Sequence, residues 1–359
     1  MQRNPQPDVL VAIMGATGSG KTTFVNEASG GDLTVGAGLR SCTSDVQLCK
    51  PFEVDQRRVI LVDTPGFDDT TKSDTDILSM IAAFLNASYK QGVKLAGIIY
   101  MHRISDVRMG GISSRNFRML RHLCGDTTLK NLVIVTNRWE EVLLSVGEAR
   151  EAELASQDIF FKPALDKGAK LLRHTNNVDS AMNILRYTIR NTPLPLKIQT
   201  EMVDEGKDLD DTTAGAEVHA EMKRLMKKHE EDLRELKAEM DEAVRRKDEE
   251  TRQELSSEMT KLRNETNQVK LDAQAMTSKY DLERKKLEAQ MQQNAEAAKK
   301  EQARLTKEYE EKLRQVEQKI REGGNAKEIL ELHKQILQLE QRIAMGQSDG
   351  GSSGPCVIL

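Results

Sequence analysis

Residues 15–22 read GATGSGKT, and this glycine-rich segment limits the possible folds of the chain more than any other. It fits G-x-x-x-x-G-K-[ST], a loop whose backbone N–H groups surround phosphates. The apolar run VLVAIM at residues 9–14 predicts a buried parallel strand before the loop. Residues 22–28 lack Gly and Pro, which predicts a helix after it. We therefore expect an α/β fold, the three-layer P-loop NTPase domain with a mostly parallel sheet.

The loop is predicted to bind a nucleotide through consecutive residues. Lys21 is expected to reach the β- and γ-phosphates as a catalytic residue, and the Thr22 hydroxyl to ligate Mg²⁺. The complete predicted set is Gly15, Ala16, Thr17, Gly18, Ser19, Gly20, Lys21, Thr22 and Thr23.

A second apolar strand, RVILV at residues 58–62, ends in Asp63-Thr64-Pro65-Gly66. A carboxylate at a strand end about forty residues after the loop lysine is placed to organise magnesium, so we predict Asp63 as a metal residue. Gly66 is predicted to donate its N–H to the γ-phosphate.

The segment before that strand is predicted to complete the metal site. Residues 46–54 read as a strand that pairs antiparallel with residues 58–62 across a turn at Asp55 and Gln56. Upstream, residues 36–45 are polar and glycine-rich, as expected of a segment that orders around a γ-phosphate. Thr43 is the predicted second hydroxyl on Mg²⁺ and a catalytic residue, with Ser41 and Ser44 as alternatives.

Base recognition is predicted at the end of a later strand. LVIVT at residues 132–136 leads into Asn137-Arg138-Trp139-Glu140, which differs from the guanine-reading pattern N-K-x-D at two positions. Asn137 is assigned to the nucleotide site, and the Glu140 carboxylate is expected to accept hydrogen bonds from guanine N1–H and the exocyclic amine. The alternative is that these residues are only the charged start of a helix. A further strand at residues 169–172 precedes residues 173–177, a predicted loop over the base.

Four motifs together carry a family resemblance: GATGSGKT, LRSCTS, VDTPGFDDT and VTNRWEEV, in this order and spacing. They resemble the GTPase domain of the septin-like group within the translation-factor-related GTPases. The nearest proteins are fungal, plant and animal relatives of the immunity-associated, avirulence-induced GTPases and of the chloroplast-import GTPase receptors. The resemblance covers about residues 8–195. It implies a GTPase that uses GTP as substrate and Mg²⁺ as cofactor.

The same resemblance implies a catalytic arginine. Some of the related proteins dimerise across their nucleotides and contribute an arginine in trans. Arg103 lies at the matching position after the strand AGIIYM, with Arg108 in reserve. The alternative is that both are surface arginines that pair with carboxylates such as Asp106.

Phe67 follows the DTPG segment, where Ras-like GTPases carry a glutamine that orients the attacking water. We therefore expect slow hydrolysis of GTP to GDP and phosphate, stimulated by head-to-head dimerisation, in a membrane-anchored switch or assembly GTPase. One alternative is a GTP-binding scaffold with little hydrolysis, whose nucleotide sets an oligomer interface. A second alternative is an ATPase.

Composition divides the chain. We predict a GTPase domain at residues 1–200, a polar linker at 201–216 and a long helix or coiled coil at 217–322, which lacks Gly and Pro. Apolar or small residues recur in steps of four and three from Leu255 to Leu287, as in a heptad seam. The alternative is a solvated single helix held by ion pairs. A second seam, in the short coiled-coil helix predicted at 325–345, either folds back as a hairpin or forms its own oligomer.

The C-terminal residues 356–359 read CVIL and fit C-a-a-X. The pattern predicts prenylation of Cys356 after a flexible tail at 346–359. One lipid chain binds membranes only marginally, so a homodimer through the G domain and coiled coil would add avidity. The four cysteines lack regular spacing and no segment resembles a signal peptide, so we expect a cytoplasmic protein, peripheral on a cytosolic membrane face. The net charge of −4 predicts no nucleic-acid partner.

Overall fold

The computed structural model describes residues 8–31, 33, 45–67, 72–107, 111–246, 248–322 and 325–351. Five residues singled out by the sequence lie outside the described residues: Ser41, Thr43, Ser44, Arg108 and Cys356. The chain forms two compact units. The first contains Met1–Tyr89 and Lys94–Arg284, and the second contains Lys90–Val93 and Lys285–Leu359.

A sheet of seven strands forms the centre of the first unit in the described part of the chain. Its spatial order is β2-β4-β1-β5-β6-β7, with β3 also paired to β4. Strands β4, β1, β5, β6 and β7 are parallel, whereas β2 and β3 run antiparallel to β4. The strands are β1 (Val9–Gly15), β2 (Gln47–Leu48), β3 (Phe52–Val54), β4 (Arg57–Asp63), β5 (Leu95–Arg103), β6 (Leu132–Asn137) and β7 (Lys170–Arg173).

Helices cover both faces of this sheet, which explains why every residue of β1 is buried. Phe24 of α1 and Ile184 of α6 share one core with the odd-numbered residues of β1. On the opposite face, Tyr100 of β5 packs edge-on against Phe117 of α3 at 5.2 Å between ring centroids. The helices of this layer arrangement are α1 (Lys21–Ser29), α2 (Asp74–Lys90), α3 (Gly111–Cys124), α4 (Leu144–Ser156), α5 (Lys162–Leu165), α6 (Val178–Thr188) and α7 (Lys197–Gln199).

The turn between β3 and β4 confirms a sequence prediction. Phe52 pairs with Val59 in an antiparallel register. Asp55 and Gln56 both have positive φ, 48° and 64°, which is the backbone form of a two-residue type I′ hairpin.

The segment predicted as a linker, residues 201–216, is folded in the structure. Leu209 and Thr212 are fully buried. The Glu201 carboxylate accepts hydrogen bonds from the backbone N–H of Thr213 at 3.0 Å and its hydroxyl at 2.6 Å. The polar groups of Glu201 and Thr213 thus bond to one another, which composition alone does not show.

The long helical segment also differs from a single continuous rod. It divides into α8 (Thr213–Arg246), α9 (Glu249–Gln274) and α10 (Met276–Arg321). His229 of α8 and Thr266 of α9 are both buried, and their side chains bond at 3.1 Å, so these two helices form an antiparallel hairpin. Asp248 caps α9 by accepting from the Thr251 N–H at 3.1 Å. Thr266 belongs to the predicted heptad seam and here contacts the same chain.

The start of α10, up to Arg284, belongs to the first unit and lies beside α2. Met276 is fully buried. The Lys279 ammonium lies 2.9 Å from an oxygen of Asp76 in the first turn of α2 and 2.8 Å from one of Asp272 in α9. Within the first unit, Lys279 of α10 thus makes a charged contact with the helix that follows the DTPG segment.

The second unit contains a hairpin of its own, formed by α10 from Lys285 onward and α11 (Ala326–Gly351). Tyr309 donates a hydrogen bond to Glu340 at 2.9 Å, and Lys319 pairs with Glu328. The second seam therefore folds back, one of the two alternatives that the sequence left open. Among the described helices, none has both the length and the apolarity needed to cross a bilayer.

Candidate nucleotide-binding site

The loops that follow β1, β4, β5, β6 and β7 meet at one edge of the sheet, because the carboxyl ends of parallel strands lie on the same side. In open α/β sheets, ligands bind at this edge where the strand order reverses. Here β1 lies between β4 and β5, so the order of the parallel strands reverses at β1.

The loop between β1 and α1 forms the predicted phosphate cradle. Gly20 has φ +87°, and a Cβ there would lie 2.8 Å from the Asn137 side-chain nitrogen. Lys21 is 7 % exposed, and its ammonium donates to the carbonyls of Gly15 at 3.0 Å and Ala16 at 2.8 Å. The positive charge is therefore held inside the loop, at the N-terminus of a helix whose own N–H groups attract anions.

Thr22 and Asp63 meet beside this loop. The Thr22 hydroxyl donates to the Asp63 carboxylate at 2.6 Å, and Asp63 is fully buried. The parallel pairing of Ile13 with Asp63 brings the end of β4 next to the loop. The described residues contain no cluster of three or more His, Cys, Asp or Glu side chains that would hold a metal alone. A hydroxyl and one carboxylate suit Mg²⁺, which keeps several waters and takes further oxygens from substrate phosphates.

The DTPG segment touches the phosphate loop directly. A Cβ on Gly66 would lie 2.5 Å from the backbone nitrogen of Thr17, so only glycine fits this approach. Phe67 is 4 % exposed and is packed into the protein. Because the ring is not exposed to solvent, it does not position a water molecule.

Arg103 ends β5 and lies against the phosphate loop of its own chain. Its Nη1 is 3.5 Å from the position that a Cβ on Gly18 would take. The Nε atom lies 3.1 Å from a carboxylate oxygen of Asp106. Arg103 thus lies beside the phosphate loop and also forms an ion pair with Asp106. For Arg103 to act on a second chain, this ion pair would first have to break.

The loop after β6 joins the phosphate loop to the base side of the site. Asn137 is buried and donates its side-chain N–H to the Ser19 carbonyl at 2.8 Å. Arg138 has φ +59° and its guanidinium lies 3.4 Å from the Gly18 carbonyl. The Asn137 Oδ1 and Ser19 Oγ atoms are buried and have no hydrogen-bond partner among the described residues, as expected of groups that await a ligand.

Trp139 anchors this loop. Its indole N–H donates to the carbonyl and hydroxyl of Thr136, both at 3.2 Å, and the Arg173 guanidinium lies 4.1 Å from the ring centroid. Arg173 is in turn paired with Glu151 of α4. Sequence reasoning did not identify these anchoring residues, because they come together only through the pairing of β6 with β7.

Glu140 follows Trp139 and is exposed at the edge of the site. Its carboxylate accepts a hydrogen bond from the Asn176 amide in the loop after β7. The sequence placed residues 173–177 over the base but gave Asn176 no role. The available signal was the Asn-Asn pair before α6, since asparagine favours both positive φ and the N-cap position.

His174, at the start of the loop after β7, is buried and contacts α1 and α6. Its ring nitrogens lie 3.1 Å from Glu27 of α1 and 2.8 Å from the Ser180 hydroxyl. Burial lowers the pKa of His174, although the Glu27 carboxylate opposes this shift. The loop after β7 is thus tied to the helix that carries the phosphate loop.

Comparison with known proteins agrees with this geometry. Residues 10–138 match the family model described as 50S ribosome-binding GTPase. No curated protein sequence matches the chain significantly.

Solved structures that match part of the chain have low identity to it. Toc33 from Arabidopsis thaliana with Mg²⁺ and GMPPNP is 15% identical over 51% of this chain and 84% of that chain, with a TM-score of 0.41. Era from Aquifex aeolicus bound to GDP and AlF₄⁻ is 16% identical over 53% and 58%, with a TM-score of 0.37. SelB from Methanococcus maripaludis is 14% identical over 53% and 36%, with a TM-score of 0.33.

The family match does not test the narrower resemblance to septin-like and immunity-associated GTPases, which stays a prediction. The match and the strand order together show that this chain contains a P-loop GTPase domain, a G domain with a mostly parallel sheet, followed by long helices.

Proposed function

We propose that this protein binds GTP with Mg²⁺ and hydrolyses it to GDP and phosphate. The observation that carries the proposal is the 2.6 Å contact between Thr22 and buried Asp63, next to the enclosed Lys21 ammonium. When bound, Mg²⁺ would neutralise phosphate charge and polarise the γ-phosphoryl group. Lys21, Thr22 and Asp63 would hold the phosphates and the metal, and Gly66 would donate its N–H.

Guanine is the proposed base, read by the Glu140 carboxylate. A carboxylate accepts hydrogen bonds from guanine N1–H and its amine, whereas adenine offers no donor pair there. Sites that hydrogen-bond a substrate reject analogues that leave those groups unpaired. We therefore expect GTP to displace a fluorescent GDP analogue at least about 100-fold better than ATP. Equal competition by ATP would instead support the ATPase alternative.

Glu140→Gln provides a sharper test of base reading. The amide presents N–H groups where the carboxylate accepted, so the variant should lose GTP affinity about tenfold or more and gain affinity for xanthosine triphosphate. Glu141→Gln is a matched control, because Glu141 pairs with Arg138 at 2.5 Å rather than with Asn176. Loss of GTP affinity without any gain for the xanthine nucleotide would contradict the role of Glu140.

Hydrolysis is proposed to depend on a second copy of the chain. Buried Phe67 supports this proposal, because a G domain without a water-orienting side chain needs another group. The single-turnover rate should then rise with protein concentration. Arg103→Ala should abolish most of that rise, while Arg186→Ala, an exposed arginine on α6 that pairs with Asp55, should leave it unchanged.

A complementation experiment separates action in cis from action in trans. Lys21→Ala protein binds nucleotide poorly but keeps Arg103, whereas Arg103→Ala protein keeps its nucleotide site. If the mixture regains the hydrolysis rate, Arg103 acts across the dimer. If the mixture does not regain the rate, the proposed action in trans fails; Arg103 already lies beside the phosphate loop of its own chain.

The buried Phe67 ring equally favours the second candidate, a GTP-binding scaffold with little hydrolysis. A scaffold would bind GTP with the same selectivity and form nucleotide-dependent oligomers, yet its single-turnover rate would stay flat as concentration rises. Sedimentation with GDP and with a non-hydrolysable GTP analogue measures the oligomers directly.

Membrane attachment through Cys356 and an interchain coiled coil stay predictions. The coiled coil would use faces other than the α8–α9 contact seen within one chain. Mass spectrometry of the protein from a eukaryotic host, with Cys356→Ser as control, tests the lipid. Liposome flotation of both forms tests peripheral membrane binding.

A further inference from the structure

The α10–α11 hairpin of the second unit buries one set of apolar side chains and exposes another. Val316 of α10 and Ile336 and Leu339 of α11 are buried between the two helices. Four large aliphatic side chains of the hairpin are exposed, and we call them the outer stripe: Leu313, Ile320, Leu330 and Leu337. Apolar side chains that are grouped on a protein surface mark an interaction site.

The outer stripe lies on one side of the hairpin. Leu337 directly follows the buried Ile336. Ile320 likewise follows Lys319, which pairs with Glu328 across the hairpin. One residue corresponds to a rotation of about 100° around a helix. Because the two helices run antiparallel, the same rotation from their shared contact brings both pairs of aliphatic side chains to the same side.

The outer stripe forms two levels along the hairpin. The hydrogen bond from Tyr309 to Glu340 fixes the register of the two helices. In this register, the two levels are Leu313 with Leu337 and Ile320 with Leu330. On each helix the two aliphatic side chains are seven residues apart, which is the spacing at which the helices of coiled coils interlock.

Charged residues border the outer stripe, and their sign differs between the two helices. Three residues before each of the four aliphatic side chains lies an exposed charged residue, acidic on α10 and basic on α11. These border residues are Glu310, Glu317, Lys327 and Lys334. One edge of the face is therefore acidic and the other basic. Such a face complements a copy of itself, whereas its balanced charge gives no net attraction to anionic lipid headgroups.

We propose that the outer stripe packs against the outer stripe of a second copy of this chain, in a four-helix bundle with a two-fold axis parallel to the helices. This axis places α10 of one copy on α11 of the other, so the acidic edge of each copy faces the basic edge of its partner. An axis across the helices would instead place α10 on α10 and oppose like charges. The bundle goes beyond the proposed GTP hydrolysis, because it joins helical units and needs no nucleotide.

Sedimentation velocity of the nucleotide-free, full-length protein, made in bacteria and therefore unprenylated, measures this dimer. Wild type should dimerise. Ile320→Gln should weaken dimerisation at least about tenfold, because an apolar side chain leaves the interface in both copies. Ile320 is 58 % exposed within one chain, so the circular dichroism of the variant should match that of wild type. Ile159→Gln, at an exposed isoleucine of the first unit, is the matched control and should dimerise like wild type.

Charge reversal tests the direction of the two-fold axis. The double variant Glu310→Lys, Glu317→Lys makes both edges basic, and Lys327→Glu, Lys334→Glu makes both edges acidic. Each double variant alone should dimerise about tenfold more weakly than wild type, because several exposed ion pairs become repulsive. An equimolar mixture of the two should recover the dimer, since a basic copy then faces an acidic one.

The matched control for charge reversal is the double variant Glu308→Lys, Glu311→Lys. Both glutamates are exposed. Glu308 directly precedes Tyr309, which bonds across the hairpin, so it lies on the side opposite to the outer stripe. This variant should dimerise like wild type.

Three results would overturn the inference: a wild-type protein that stays monomeric at its highest soluble concentration, a dimer that Ile320→Gln leaves unchanged, or charge-reversed variants that dimerise as tightly as wild type. If wild type is monomeric and Ile320→Gln reduces its flotation with phosphatidylcholine liposomes, the outer stripe contacts a lipid surface instead. Failure of the bundle is distinguishable from failure of GTP hydrolysis, because the dimer is measured without nucleotide.

Discussion

Replacing Gly147 with alanine should displace the loop after β6, which carries Trp139 and Glu140. Gly147 is buried on α4, and a Cβ there would lie 2.7 Å and 3.0 Å from two ring carbons of Trp139. Carbon atoms pack best at about 3.5–4.0 Å, so the ring would have to move by about 1 Å. Trp139 is held by two hydrogen bonds to Thr136 and directly precedes Glu140. The displacement should therefore reach the Glu140 carboxylate.

Two opposing effects set the stability of Gly147→Ala. Alanine is favoured over glycine inside a helix by about 1 kcal/mol. Overpacking a filled site costs about 1–3 kcal/mol. The free energy of unfolding should therefore fall by about 0–2 kcal/mol, while GDP affinity falls about tenfold because a hydrogen bond to a charged group is lost. ADP affinity should change little.

Denaturant unfolding and competition binding measure the two effects on the same protein. Ala149→Gly, at an exposed position of the same helix, isolates the helix-propensity term. A double-mutant cycle with Trp139→Phe should show coupling, because the smaller ring relieves the clash. The predicted clash would be refuted if Gly147→Ala raised the free energy of unfolding by as much as Ala149→Gly lowers it, and if Gly147→Ala also bound GDP with wild-type affinity.

Three further perturbations test other parts of the structure. Asp63→Asn should remove the Mg²⁺ dependence of GDP affinity, measured with and without EDTA, and a retained dependence would place the metal elsewhere. Burial, with a smaller contribution from the charge of Arg103, lowers the pKa of His102 to about 4. Protonation then favours the unfolded chain, so the free energy of unfolding falls as pH drops from 6.5 toward 4. Between pH 7 and 4.5, the free energy of unfolding of His102→Gln, measured in urea, should fall by about 2–3 kcal/mol less than that of wild type. Burial tends to raise the pKa of Asp76, but hydrogen bonds from Lys279 and Ser73 outweigh it and leave that pKa lowered. The resulting stability is present above the ordinary carboxyl pKa and lost as pH falls, so Lys279→Met should cost about 1–2 kcal/mol at pH 7 and much less at pH 3; equal losses at both values would exclude this ion pair as the cause.

Local pattern predicted the strands that position the candidate nucleotide-binding site. The strand predicted at 9–14 is β1 (Val9–Gly15), and the strand predicted at 58–62 is β4 (Arg57–Asp63). Buried parallel strands are continuous apolar runs, and glycine loops interrupt them sharply, so both signals survive in a single sequence.

The helical region was less predictable for a physical reason. Neither Gly nor Pro marks the break near Asp248, and the chain there continues to favour helix. What turns the chain is the contact between α8 and α9, including the buried bond from His229 to Thr266. An amphipathic stripe shows that a helix has a partner, but it does not show whether that partner is the same chain.

The sequence by itself predicted a phosphate-binding loop at residues 15–22, with Asp63 and Gly66 at the end of a later strand, because these motifs are read from short spacings along the chain. Tertiary structure alone decided that Arg103 lies against its own phosphate loop and that Asn176 bonds to Glu140. These contacts join loops separated by tens of residues. Their geometry depends on which strands are neighbours in the sheet, and no spacing in the sequence encodes that order.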